Sequence, residues 1–174
     1  SPQNLSWTLA ERILFRFFFI LFTLFIVIKN NGAFPFWGEY VMKYPTEFLH
    51  KIIPWIGKHV LNLSYDITVF SNGSGDTTYD YVIIFTILAA AIFGTIIWSI
   101  LNRNRTNYSV LYYWLTVAVR YYVGLMLISY GLIKIFKLQF PSLGLYRLMQ
   151  PYGDSSPMGL AWTFLGFSKG YNLF

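Results

Sequence analysis

Apolar residues in this chain are gathered into four long runs. They cover residues 12–29, 80–101, 109–138 and 157–174. A transmembrane helix needs about 20 mostly apolar residues, so the pattern predicts an all-α, polytopic membrane protein. We expect four transmembrane helices packed as a bundle in a single domain over residues 1–174. Arg16 falls in the first turns of the first run, where its long side chain is expected to extend to the nearer membrane surface.

The connection between the first two runs, residues 30–79, has a helical pattern of its own. Over about residues 46–62, apolar positions such as Phe48 and Ile53 alternate at helical spacing with Lys51 and Lys58. This favours an amphipathic helix lying on the outer membrane surface and kinked at Pro54. A short re-entrant hairpin is the alternative.

Two helix starts can be located from their capping residues. Thr77 followed three residues later by Asp80 resembles a capping box, and Ser156 before Pro157 is typical of an N-cap and first helical residue. The short turn after the second run holds Arg103 and Arg105. Short basic loops stay in the cytoplasm, so the N-terminus is predicted to be cytoplasmic as well.

Composition agrees with a membrane protein and excludes several functions. Hydrophobic residues make up 56% of the 174 residues and charged residues 11%, against roughly 25% charged in soluble domains. The net charge of +6 comes from basic residues scattered among apolar segments, which favours the lipid bilayer and not nucleic acid as partner.

With no cysteine, thiol chemistry is excluded. His50 and His59 do not have metal-ligand spacing, no metal is expected, and no autonomous catalytic motif is present.

Arg120 is the most informative polar residue, because it lies near the middle of the longest apolar run. Six of the seven acidic residues fall outside the apolar runs and the seventh, Asp80, is the first residue of one. A cation in hydrocarbon costs several kcal/mol unless it is paired. At helical spacing Arg120 shares one stripe with Gly124, Leu127, Gly131 and Lys134. The two cations are about 21 Å apart along the helix. We expect the stripe to face the protein interior, where small residues allow close helix approach.

The segment Tyr152–Met158 offers a second candidate. It is either a turn followed by an N-cap, or a site in which Asp154 at the outer mouth meets Lys134 or Lys137.

Several segments in order resemble the DoxX-like membrane proteins, in particular the longer members from bacteroidete bacteria. The segments are Arg120 with Tyr130–Lys134, Gly73–Thr78, Val119–Tyr122, Gln139–Pro141 and Tyr152–Met158. The resemblance implies a four-helix core in the bacterial inner membrane. It also implies an association with redox chemistry, including thiosulfate–quinone oxidoreduction in some relatives. Longer relatives continue past the fourth span with further helices and an acidic residue, so this chain is expected to correspond to their N-terminal part.

Three functions follow as hypotheses. The first is an inner-membrane accessory or subunit of redox character that holds a quinone or a lipid headgroup near Arg120. The others are an anion transporter or channel, and a non-catalytic scaffold that joins other membrane subunits or copies of itself. At most the chain is an oxidoreductase-associated subunit, and quinone is the cofactor this hypothesis admits. The ligand-binding candidates are Arg120, Lys134, Tyr130, Asp154 and Gln139.

Overall fold

A computed structural model of the chain describes residues 7–69, 75–136 and 144–168. Within these residues the regular secondary structure is entirely helical, which confirms the predicted all-α class. The helices are α1 (Leu9–Lys29), α2 (Trp37–Tyr40), α3 (Lys43–His59), α4 (Thr78–Leu101), α5 (Ser109–Ile135), α6 (Leu145–Met149) and α7 (Pro157–Gly166), with a 3-10 turn at Tyr152–Asp154.

Two of these helices are long and apolar enough to cross a membrane. They are α4, with 24 residues, and α5, with 27 residues. At 1.5 Å per residue they measure about 36 and 40 Å, more than the roughly 30 Å hydrocarbon core of a bilayer. Their bounds agree with the predicted second and third spans, although residues 137 and 138 of the third lie outside the described residues. The structure thus shows two helices of membrane-spanning character.

The first and fourth predicted spans lack the length or the apolar composition of α4 and α5 within the described residues. Helix α1 has 21 residues but includes the charged residues Glu11, Arg12, Arg16 and Lys29. Helix α7 has 10 described residues, about 15 Å of helix, and residues 169–174 of this predicted span lie outside the described residues. A bundle of four spans therefore stays a prediction.

Helix α3 confirms that the region predicted as amphipathic is helical, although it begins and ends three residues earlier than expected. Its location on the outer membrane surface stays a prediction. Ile53 is fully buried, and Gly57 is buried against Leu63 and Ile67, whose side chains occupy the space that a Cβ atom would need. Part of the predicted apolar side thus packs onto the protein itself. Phe48 and Trp55 remain 63% and 56% exposed on the side that carries the lysines.

The chain forms two compact units, Ser1–Thr46 with Ile84–Met126, and Glu47–Ile83 with Leu127–Phe174. In the first unit, α1 and α4 are antiparallel, because Arg16 contacts Ser99 whereas Ile20 lies against Gly94. Helices α1 and α5 are parallel. Their aromatic contacts advance together along both helices, from Phe15 with Tyr112 to Phe25 with Tyr122.

Candidate functional site

Arg16 is the buried cation of the first unit, with 2% of its surface exposed. Its Nε and Nη2 atoms donate to the Tyr108 hydroxyl at 3.0 and 2.9 Å. Nη1 donates to Ser99 Oγ at 2.9 Å, and Nη2 also donates to the carbonyl oxygen of Asn102 at 3.0 Å. Arg16 is thus buried within the protein and not exposed, because the end of α4 and the following turn supply neutral acceptors. Its predicted closeness to the membrane surface stays a prediction.

Tyr108 is the centre of this cluster and is fully buried. Phe15 stacks on its ring at 5.1 Å between centroids. The guanidinium carbons of Arg16 and Arg105 lie 5.3 and 5.0 Å from its ring centroid. Cation–π attraction and hydrogen bonds to oxygen dipoles thus offset the cost of burying a charge without a carboxylate. The sequence carried little signal for this arrangement, since Arg16 and Tyr108 are 92 residues apart.

Arg120 has a different environment, because its side chain is exposed. It lines a cavity of about 510 Å³ between α1 and α5 in the first unit. Within the part of the chain that the structure describes, the Arg120 side chain makes no hydrogen bond or ion pair. The lining residues are Trp7, Glu11, Leu14, Phe15, Phe18, Phe22, Tyr112, Leu115, Thr116, Val119 and Arg120. We call this cavity the α1–α5 groove.

The α1–α5 groove is elongated and mostly apolar, with one charged residue at each end. On α5 its lining runs from Tyr112 to Arg120, about 12 Å of helix, and on α1 from Glu11 to Phe22, about 16 Å. Since the two helices are parallel, Arg120 lies at the Phe22 end and Glu11 at the opposite end.

The polar side chains that line the groove differ in whether they already have hydrogen-bond partners. The Glu11 carboxylate accepts from the Thr8 backbone N–H at 2.7 Å and from the Thr8 hydroxyl at 2.9 Å, which makes a capping box for α1. The Thr116 hydroxyl donates to the carbonyl oxygen of Tyr112 at 2.8 Å. Of the two charged lining residues, Arg120 therefore keeps its donors available for a ligand.

The rest of the predicted stripe on α5, from Gly124 to Lys134, is not packed against other described residues. Leu127, Gly131 and Lys134 are exposed, and a Cβ atom added at Gly124 or Gly131 would meet nothing within 4 Å. The close helix approach expected at these glycines is thus absent from the part of the chain that the structure describes.

The other predicted ligand-binding candidates do not assemble into one site. Tyr130 is 46% exposed and, like Lys134, has no described polar contact. Gln139 lies outside the described residues. Asp154 is also exposed, and the structure shows no ion pair between it and Lys134.

Asp154 instead borders a cavity of about 360 Å³ in the second unit, together with Asp66 and Asp76. Two of these three carboxylates have partners. Asp66 accepts from Lys58 at 2.9 Å, and this contact holds the pKa of Asp66 below its ordinary value. Asp76 accepts from the backbone N–H of Met158 at 3.0 Å. Among the described residues, no group of three His, Cys, Asp or Glu is placed to hold a metal ion.

Both predicted helix caps are confirmed. Thr77 Oγ accepts from the Asp80 N–H at 3.2 Å, and Asp80 Oδ2 accepts from the Thr77 N–H at 3.2 Å. Ser156 Oγ accepts from the Gly159 N–H at 3.0 Å, with Pro157 as the first residue of α7. The Tyr152–Met158 segment thus contains the turn and N-cap, the simpler of its two predicted roles.

Comparison with known proteins gives no relative for this chain. No family model, no curated protein and no solved structure matches it. The proposed function therefore rests on the fold and on the α1–α5 groove.

Proposed function

We propose that this chain is an integral membrane protein that holds a quinone or the headgroup of a lipid at Arg120, with the apolar tail in the α1–α5 groove. It would serve as a DoxX-like, redox-associated accessory or subunit in the bacterial inner membrane. The observation that carries the proposal is a guanidinium without a described partner at one end of an apolar, aromatic-walled groove.

The position of Arg120 explains why a ligand is expected there. It is the twelfth of the 27 residues of α5, so it would lie near mid-membrane if α5 spans the bilayer. An unpaired arginine at that depth costs several kcal/mol. A ligand oxygen that accepts from the guanidinium would lower this cost, because it replaces the hydrogen bonds that water otherwise supplies.

The shape and lining of the groove set the class of ligand. Ligand cavities commonly measure about 300–1,000 Å³ and combine apolar walls with a few polar groups. An isoprenoid quinone and a lipid share the required chemistry, namely oxygen acceptors at the end of an apolar chain. The DoxX-like resemblance, with its redox association, favours the quinone.

The anion-transport alternative receives less support from the groove. Transport would need cations spaced along one pathway, whereas Arg120 is the cationic residue in the lining and Lys134 is not part of it.

The test is quinone binding to the purified full chain in detergent, measured by quenching of tryptophan fluorescence, because Trp7 lines the groove. Arg120→Gln removes the charge and is expected to weaken binding by about tenfold, the value of one hydrogen bond from a charged donor. Lys134→Gln is the matched control, since it removes a cation from the same helix outside the groove and should bind as the parent does. A phospholipid with the same readout separates the two ligand sources.

Leu115→Trp supplies a second variant that leaves Arg120 in place. The larger side chain would fill the groove and should reduce binding of the quinone tail. Equal binding by the parent, Arg120→Gln and Leu115→Trp would contradict the proposal, as would binding by none of them.

A further inference from the structure

Arg105 contacts Tyr108 at the turn between α4 and α5, on the same ring that Arg16 contacts. Arg105 is exposed, yet its guanidinium is held in place by two contacts. Its Nε donates to the carbonyl oxygen of Asn107 at 3.2 Å, and its guanidinium carbon lies 5.0 Å from the centroid of the Tyr108 ring. Its two Nη atoms have no hydrogen-bond partner in the described part of the chain. The guanidinium is therefore positioned by two contacts while its outer donors stay available.

Arg12 lies beside this group. Its Nη1 donates to the carbonyl oxygen of Arg105 at 3.3 Å, which brings the two residues together. Its Nε is buried and has no hydrogen-bond partner among residues 7–69, 75–136 and 144–168. The carboxylate next in sequence, Glu11, is engaged with Thr8. The positive charge of Arg12 and Arg105 is thus not neutralised by a described acid.

We propose that Arg105, with Arg12 beside it, binds the phosphate of an anionic phospholipid. A guanidinium presents a planar fork of N–H donors that matches two phosphate oxygens, so a pre-ordered arginine loses little entropy on binding. The turn joins the two helices of membrane-spanning length, which places it at the level of lipid phosphates if both helices span. The inference thus depends on the membrane location in the proposed function, but not on the Arg120 ligand.

The experiment uses the full chain in detergent with phosphatidylglycerol, and counts bound lipids by native mass spectrometry. Arg105→Gln is expected to lower the affinity for the lipid by about tenfold or more, because it removes both charge-assisted hydrogen bonds of the fork. Arg103→Gln is the matched control, because Arg103 lies in the same turn, is exposed and has no described contact. It removes the same charge and should retain the lipid.

Arg105→Lys tests whether the paired N–H donors of the guanidinium contribute to binding beyond its positive charge. Lysine keeps the positive charge but lacks the planar pair of donors, so its affinity should fall between those of the parent and Arg105→Gln. An unchanged melting temperature would show that each variant is folded, and all the variants at this turn keep Arg120 in place.

Two results would overturn the inference. Equal lipid loss in Arg105→Gln and Arg103→Gln would show a general attraction between the turn and anionic lipid. Inorganic phosphate that binds as tightly as the lipid would assign the site to free phosphate instead.

Discussion

Arg16 and Arg120 show how differently one residue type can be used within one compact unit. Arg16 donates four hydrogen bonds to neutral oxygens and is buried. Arg120 lines the α1–α5 groove without a described partner. An arginine that has internal acceptors contributes to stability, whereas one that lacks them is suited to bind a ligand. The structural role therefore falls to Arg16 and the proposed binding role to Arg120.

Loss of the Tyr108 hydroxyl should destabilise the protein. Tyr108→Phe keeps the ring contacts but removes the oxygen that accepts from Nε and Nη2 of Arg16. Leaving buried charged donors unpaired costs about 1–3 kcal/mol or more. We expect a lower free energy of unfolding, measured by denaturant titration in mixed micelles.

Tyr112→Phe is the control for this substitution. Tyr112 also packs against Trp7 and Phe15, but its side chain is 56% exposed and its hydroxyl has no described partner. Its free energy of unfolding should stay close to that of the parent. Equal values for both variants would show that the Arg16–Tyr108 hydrogen bonds do not stabilise the fold.

The sequence could not have assigned these two roles. Both arginines lie within apolar runs, and hydrophobic patterning ranks them only by depth, which made Arg120 the candidate for burial. The burial of Arg16 depends on Ser99, Asn102 and Tyr108, which reach it only because α1 and α4 are antiparallel. That packing is a tertiary property, so no local pattern contains it.

At the scale of elements, the starts of helices were predictable because their causes are local. The caps of α4 and α7 each join residues three apart in the sequence, and both are present in the structure. The orientation of α3 was less predictable. Its periodicity defines an apolar side, but the contact of Gly57 with Ile67 decides which part of that side is buried. Phe48 and Trp55 were left exposed as a result.

The cap of α4 gives a prediction at this scale. Thr77→Ala removes the hydroxyl that accepts from the Asp80 N–H, and loss of an N-cap costs about 1 kcal/mol. Amide hydrogen exchange in the first turn of α4 should accelerate. Thr77→Ser keeps the hydroxyl and should exchange as slowly as the parent, so similar exchange in the alanine and serine variants would refute a capping role.

The whole molecule exposes much apolar surface. On α4 alone, Phe93, Ile97, Ile100 and Leu101 are between 57% and 80% exposed. Soluble monomers rarely expose apolar patches larger than a few hundred Å², so this surface supports the proposed membrane location. The amino-acid composition and the lengths of the apolar runs predicted this large exposed apolar surface. It is a sum over many residues and does not depend on how individual side chains pack.

Orientation in the membrane can be tested with single cysteines, because the chain contains none. Asn104→Cys lies in the basic turn and Lys51→Cys lies on α3. With a cytoplasmic N-terminus, a membrane-impermeant maleimide should label Lys51→Cys in intact spheroplasts. It should reach Asn104→Cys only after permeabilisation. The reverse pattern would show that the orientation prediction is wrong.

The most direct test of the account is photo-crosslinking with a quinone that carries a photoreactive group on its tail. The labelled peptides of the full chain, reconstituted in bilayers, would be identified by mass spectrometry. We predict labelling on α1 and α5 at residues that line the α1–α5 groove. Excess unmodified quinone should compete with this labelling, and Arg120→Gln should reduce it. Labelling confined to other helices, or labelling unaffected by both the competitor and the substitution, would contradict a ligand site at Arg120.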